Sequence, residues 1–160
     1  MITGQTASME DYLEAIAKLA EEDPEVRVTV ISKRLGVKKP SVTAALHKLS
    51  EEGLVEHPRY GCVQLTQEGR RIATDVIRRH EVLFRFLSEI LGLTSDIAQE
   101  DACKVEHSLS PNSLERLSKF VEFVLTSPRG EPSCLKGFNH YLEHGERGKQ
   151  LPAYHSKDES

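Results

Sequence analysis

Two short helical patterns around a glycine, followed at once by two alternating runs, confine this chain to few folds. Over residues 26–53 the first pattern has Ile31 and Leu35 four apart, with Thr29 placed to cap it. Gly36 supplies a left-handed stop. After Val37-Lys38-Lys39, Pro40 suits the first turn of a second helix. Its inner stripe is Val42, Leu46 and Leu49, and it ends near Gly53. The runs Leu54-Val55-Glu56-His57-Pro58 and Cys62-Val63-Gln64-Leu65, joined around Arg59-Tyr60-Gly61, read as a β-hairpin. Helix, turn, helix and hairpin in this order make a winged helix-turn-helix.

The outward face of the second helix fits DNA. Lys39, Ser41, Thr43, Ala44, His47 and Lys48 are small, polar or basic, so nothing bulky blocks close approach to base edges. Arg27, Lys38, Pro40 and the hairpin-tip Arg59 complete the candidate contacts, with Arg59 suited to a phosphate or the minor groove. Charge agrees. The net charge is −4, yet residues 26–80 carry 11 basic against 5 acidic side chains, flanked by acidic stretches. A generic helical hairpin with a solvated basic face would match the charge alone. It would not account for the hairpin that follows.

Upstream, Ser8-Met9-Glu10-Asp11 opens a helix with Ser8 as N-cap and Asp11 completing a capping box. Tyr12, Leu13, Ile16, Ala17, Leu19 and Ala20 recur along it, and Asp11 and Glu14 share a face. Downstream, Thr66-Gln67-Glu68-Gly69 caps a helix with Ile72, Ala73, Val76 and Ile77 inward. A wide apolar stripe (Val82, Leu83, Phe86, Leu87, Ile90, Leu91) runs on to Gly92. A helix over about residues 94–107 follows, then one capped by Ser110-Pro111-Asn112-Ser113 with Leu114, Leu117, Phe120, Val121 and Val124 on one face. Residues 135–144 can form one more. This apolar surface exceeds what a small domain hides, and dimerisation is the economical use of it.

Chemistry concentrates in Glu100-Asp101-Ala102-Cys103-Lys104-Val105-Glu106-His107. On a helix Cys103, Glu106 and His107 stand at i, i+3 and i+4, half a site for a divalent transition metal. The octapeptide alone equally admits a buried cysteine beside a solvated Glu–His pair. Cys62, Cys103 and Cys134 are odd in number and widely spaced, so no disulfide framework is expected and a reducing cytoplasm is the simplest home. No apolar run reaches the ~18 residues of a membrane span, and no secretory leader opens the chain.

The pieces together resemble the diphtheria toxin repressor family of iron- and manganese-dependent transcriptional regulators. The resemblance covers about residues 8–145. It rests on Met9-Glu10-Asp11-Tyr12-Leu13-Glu14-Ala15-Ile16, the helix opening Pro40-Ser41-Val42-Thr43, Leu65-Thr66-x-x-Gly69, Arg79-His80, and Cys103-x-x-Glu106-His107 before Leu109-Ser110. It implies a mostly α fold in the short form without an SH3-like domain. Residues 1–72 would be the winged helix-turn-helix, 73–145 the helical metal-binding and dimerisation domain, and 146–160 a flexible tail. It implies a homodimeric repressor that binds palindromic operator DNA when metal-loaded and controls metal uptake genes, with no small-molecule substrate.

The resemblance also implies the ligands: Asp11, Glu14, His80, Cys103, Glu106 and His107. They form a hybrid. Asp11, Glu14 and His80 match the manganese branch; Cys103 stands where the iron branch has cysteine; Glu106 and His107 are common to both. The ancillary site of the iron branch is missing, since Phe84 and Gln99 replace its Glu and His. The thiolate makes Fe(II) the expected metal and Mn(II) the alternative, with Co(II), Ni(II) or Zn(II) as substitutes in vitro. Rival readings are a winged-helix thiol sensor, in which Cys103 is oxidised and no metal acts, and a structural zinc site. An enzyme using Cys103 and His107 has no third group or oxyanion site.

Overall fold

The computed structural model describes residues 8–56, 61–126 and 133–146, with only the backbone of Ser133 and Cys134. Arg59 at the expected hairpin tip, and residues 147–160 of the expected tail, lie outside the described residues. Two compact units divide between Arg79 and His80. The boundary read from sequence, 72/73, falls in the same helix.

The first unit opens with α1 (Met9–Glu22). Ser8, in extended conformation, forms the expected capping box: its hydroxyl accepts from the Asp11 N–H at 3.1 Å and its own N–H donates to the Asp11 carboxylate. Next comes α2 (Val28–Leu35), which starts earlier than Thr29 predicts. The N–H groups of Val30 and Ile31 close on the Arg27 carbonyl at 2.9 and 3.1 Å, so Arg27 is the N-cap and gives no side-chain cap. Half-buried Val28 packs on the core, which draws the first turn forward. Gly36 ends α2 at φ 65°, as expected.

Helix α3 (Lys39–Glu51) carries Pro40 in its first turn and buries Val42, Ala45, Leu46 and Leu49. Strands β1 (Val55–Glu56) and β2 (Gln64–Leu65) pair antiparallel, Val55 opposite Leu65 and Glu56 opposite Gln64. The Val63 N–H donates to the Val26 carbonyl at 2.8 Å, tying the hairpin to the entry of α2. Leu13, Ile16, Ile31, Leu46, Leu49, Val63 and Ala73 meet in one core. The result is the winged helix-turn-helix expected from sequence.

Helix α4 (Gln67–Arg85) begins where Thr66 caps it, accepting from the Gly69 N–H at 3.1 Å and donating to the Gly53 carbonyl at 2.8 Å. Its end runs into a π-helical turn (Phe86–Ile90), closed by Leu91 N–H donating to Phe86 O at 3.0 Å. In the second unit α5 (Ser95–Val105), α6 (Pro111–Leu125) and α7 (Ser133–His144) follow. Ser110 caps α6 through the Ser113 N–H, as its sequence predicts. Ile90, Val121, Val124 and Leu135 form a small core, with Phe86 edge-on to Phe120. Cys134, read as a loop residue, falls in the first turn of α7. Among the described residues no helix is long and apolar enough to cross a membrane.

One contact in the first unit has no slack. A methyl group on Gly69 would overlap the Leu54 backbone carbonyl, so α4 approaches the hairpin base only because residue 69 lacks a side chain. Gly69→Ala is expected to lose about 1–3 kcal/mol of stability, the usual range for forced overpacking. Urea unfolding of the variant beside the parent checks it.

Candidate metal centre

On α1 the donors stand one turn apart. Asp11 is half-buried and bound into the capping box; Glu14 pairs with Lys18 at 2.7 Å along the helix. Tyr12 between them is buried, and burial first, the Asp11 charge second, push its phenol above the usual 10.0. The α1 surface that carries these carboxylates is therefore not freely hydrated.

A link the sequence did not show fixes this helix. Glu10 Oε1 lies 2.8 Å from Arg79 Nη2, joining α1 to α4 across 69 residues. The two residues are immediate neighbours of Asp11 and His80. Periodicity cannot pair residues so far apart, and adjacency to the donors was the one available signal.

In the second unit three predicted donors meet. His80 Nδ1 lies 2.7 Å from Glu106 Oε2, and His107 Nε2 lies 3.3 Å from Glu106 Oε1. Glu106 is 0% exposed and His80 is 8% exposed. A buried carboxylate is costly unless paired, and here each oxygen faces an imidazole. In the neutral ring an Nδ1 proton donated to this carboxylate places the lone pair on Nε2, one of the two nitrogens through which histidine ligates metal.

The helix under the octapeptide is shorter than expected. It closes at Val105, Glu106 is the C-cap and His107 lies in the turn beyond. Glu106 still donates its N–H to the Ala102 carbonyl at 3.0 Å, so Cys103 and Glu106 keep the i, i+3 relation. Cys103 Sγ and a Glu106 carboxylate oxygen lie within 4.8 Å, and only His107 leaves the helix. Glu106 is buried while Cys103 on the last helical turn is exposed, which also removes the buried-cysteine alternative. Carboxylate, imidazole and thiol remain a donor set that fits a divalent first-row cation.

The DNA candidates divide as the sequence predicts where they are described. Lys38, Lys39, Pro40, Ser41, Thr43, Ala44, His47 and Lys48 are exposed at or along α3. Thr43 donates to the Lys39 carbonyl at 3.1 Å, and His47 is 3.5 Å from Glu51. Arg27 is exposed and bonded to Glu25 at 2.6 Å.

Comparison with known proteins agrees with this geometry. Residues 5–63 match the family description "Iron dependent repressor, N-terminal DNA binding domain", and residues 66–135 match "Iron dependent repressor, metal binding and dimerisation domain". The chain is 34% identical over 154 residues to the HTH-type transcriptional regulator MntR of Bacillus pumilus, covering 96% of this chain and 94% of that protein. It is 39% identical over 116 residues to an uncharacterised HTH-type transcriptional regulator of Methanocaldococcus jannaschii, covering 72% and 93%. Among solved structures it is similar to the manganese regulator SloR, with a TM-score of 0.68, 32% identity, and 79% and 59% of the two chains covered. A manganese-dependent transcriptional repressor in complex with manganese gives a TM-score of 0.66, 34% identity, and 78% and 57%. The chain thus spans under two-thirds of the length of these solved chains. It belongs to the diphtheria toxin repressor, or iron-dependent repressor, family of metal-dependent transcriptional regulators.

Proposed function

We propose that this chain is a homodimeric repressor that binds palindromic operator DNA when loaded with Mn(II) and controls genes for uptake of that metal. The observation that carries the reading is Glu106, a fully buried carboxylate shared between two imidazoles in a chain of this family. Asp11, Glu14, His80, Cys103, Glu106 and His107 are the proposed ligands. Relatives named as manganese regulators, and the carboxylate-rich donor set, favour Mn(II) over the Fe(II) expected from the thiol. Fe(II) stays as a second reading because Cys103 is a soft donor where an all-hard set would suit manganese better.

The mechanism is linkage. A divalent cation held by Asp11, Glu14, His80, Cys103, Glu106 and His107 would supply charge that offsets the carboxylates. Asp11 and Glu14 precede the DNA-reading unit, so engaging them fixes the helix from which α2 and α3 depart. A coupling of roughly 1–3 kcal/mol, about 5- to 150-fold in affinity, is enough for a switch. In the loaded dimer the α3 helices sit about one helical turn of DNA, or a multiple, apart. Lys38, Lys39, Lys48, Arg27 and Arg59 meet phosphates, and Ser41, Thr43, Ala44 and His47 meet base edges, with Pro40 setting the start of the reading helix.

Dimerisation is assigned to the second unit. Phe120, Phe123, Tyr141 and Leu142 are exposed there, Phe123 at 78%. Such side chains gain roughly 1.5–3 kcal/mol each when buried.

Three measurements test the reading. Operator binding by anaerobic protein titrated with Mn(II) and Fe(II) is expected to switch on at lower free Mn(II). Activation at lower Fe(II), reversed by Cys103→Glu, establishes the iron reading; no effect of either metal rejects metalloregulation. Lys48→Ala is expected to weaken binding evenly across DNA sequences and to reduce the salt slope by about 1. Phe123→Glu is expected to shift sedimentation toward monomer, with helical content unchanged.

A further inference from the structure

Helix α7 carries a second, separate pair of imidazoles. His140 and His144 stand at i and i+4, exposed, with ring centroids 4.3 Å apart and planes 25° from parallel. Helical spacing alone would put both on one face. The structure adds a hydrogen bond that selects a tautomer: His144 Nδ1 lies 3.0 Å from the His140 backbone carbonyl. A carbonyl only accepts, so Nδ1 carries the proton and the neutral ring keeps its lone pair on Nε2. Backbone carbonyls orient many metal-bound histidines in this way. The neighbouring carboxylate of Glu143 is 3.9 Å from His144, close enough to favour a cation without occupying the ring.

We infer that His140 and His144 form a surface chelate for a late first-row divalent cation of the imidazole-preferring kind: Zn(II), Ni(II) or Cu(II). Two neutral imidazoles with water at the remaining positions suit these ions and discriminate against Mn(II), which favours oxygen donors. The stacked arrangement is the metal-free one. The soft torsion about the His140 Cβ–Cγ bond lets its nitrogen turn to the point that His144 Nε2 faces. The pair lies beyond residues 66–135, the span matching the family's metal-binding domain, and shares no residue with the six donors proposed above. It would therefore answer to different metals than the regulatory set.

The test is equilibrium dialysis of the full chain against chelator-buffered Zn(II), beside a His140→Ala/His144→Ala double variant and both singles. The expected result is one more zinc per chain in the parent than in the double variant, with each single variant losing the same zinc. Alanine on an exposed helical face preserves the helix, and circular dichroism verifies this. A second readout needs no variant: Zn(II) should shift the side-chain nitrogen resonances of both rings together, with His144 starting as the Nδ1–H tautomer. Operator binding driven by Mn(II) should be the same in all variants, which separates this pair from the regulatory centre. Equal zinc stoichiometry in parent and double variant overturns the inference, as does a His144 ring that starts in the Nε2–H form.

Discussion

The buried carboxylate of Glu106 is the costliest single group in the second unit, and the surrounding placement answers to it. Removing an ionised carboxyl from water costs several kcal/mol even after relaxation. His80, one residue past the division between the two units, meets one oxygen at 2.7 Å, and His107 lies near the other. A leucine at position 106 would fill the space with less penalty. Stability therefore gives no reason for the arrangement, whereas a donor set held in shape before metal arrives gives a good one.

Holding Glu106 inward constrains the local chain. Glu106, the C-cap of α5, is still in helical conformation with its N–H on the Ala102 carbonyl at 3.0 Å. Its carboxylate is buried while Cys103 on the final helical turn is exposed. A hard, buried donor and a soft, exposed one thus sit three residues apart in different environments. Selectivity in such a set does not follow from donor identity alone. The exposed Cys103 Sγ already lies within 4.8 Å of a Glu106 carboxylate oxygen, so a soft and a hard donor converge.

Much of this was legible in the residues themselves, because the decisive signals are local. Ser8 with Asp11, Gly36 at positive φ, Pro40 in the first turn of α3 and Ser110 before α6 act within a few residues, and each forms as read. The hairpin register follows from alternation, with Val55 inward opposite Leu65. What escaped depends on distant or competing contacts. Val28 packing on the core overrode Thr29 as a cap, and α5 ends two residues before His107. The π-helical turn at residues 86–90 carries no compositional mark at all. Glu10 with Arg79 pairs residues too far apart for any period to connect.

That ion pair ties α1 to α4 within the first unit. Among the described residues one apolar cluster of the second unit holds Ile90, Val121, Val124 and Leu135 with three flanking residues, and Leu83, Ala98 and Ala102 are buried besides. Polar contacts on α1 include the capping box that holds Asp11, the Lys18 partner of Glu14, and the Arg79 partner of Glu10. Polar contacts can be exchanged for others at modest net cost, about 1 kcal/mol for an ordinary hydrogen bond. A packed leucine cannot be exchanged so cheaply. On the same helix the apolar stripe of Leu13, Ile16 and Leu19 belongs to the core of the first unit, so its packing does not depend on which polar partners its first turn holds.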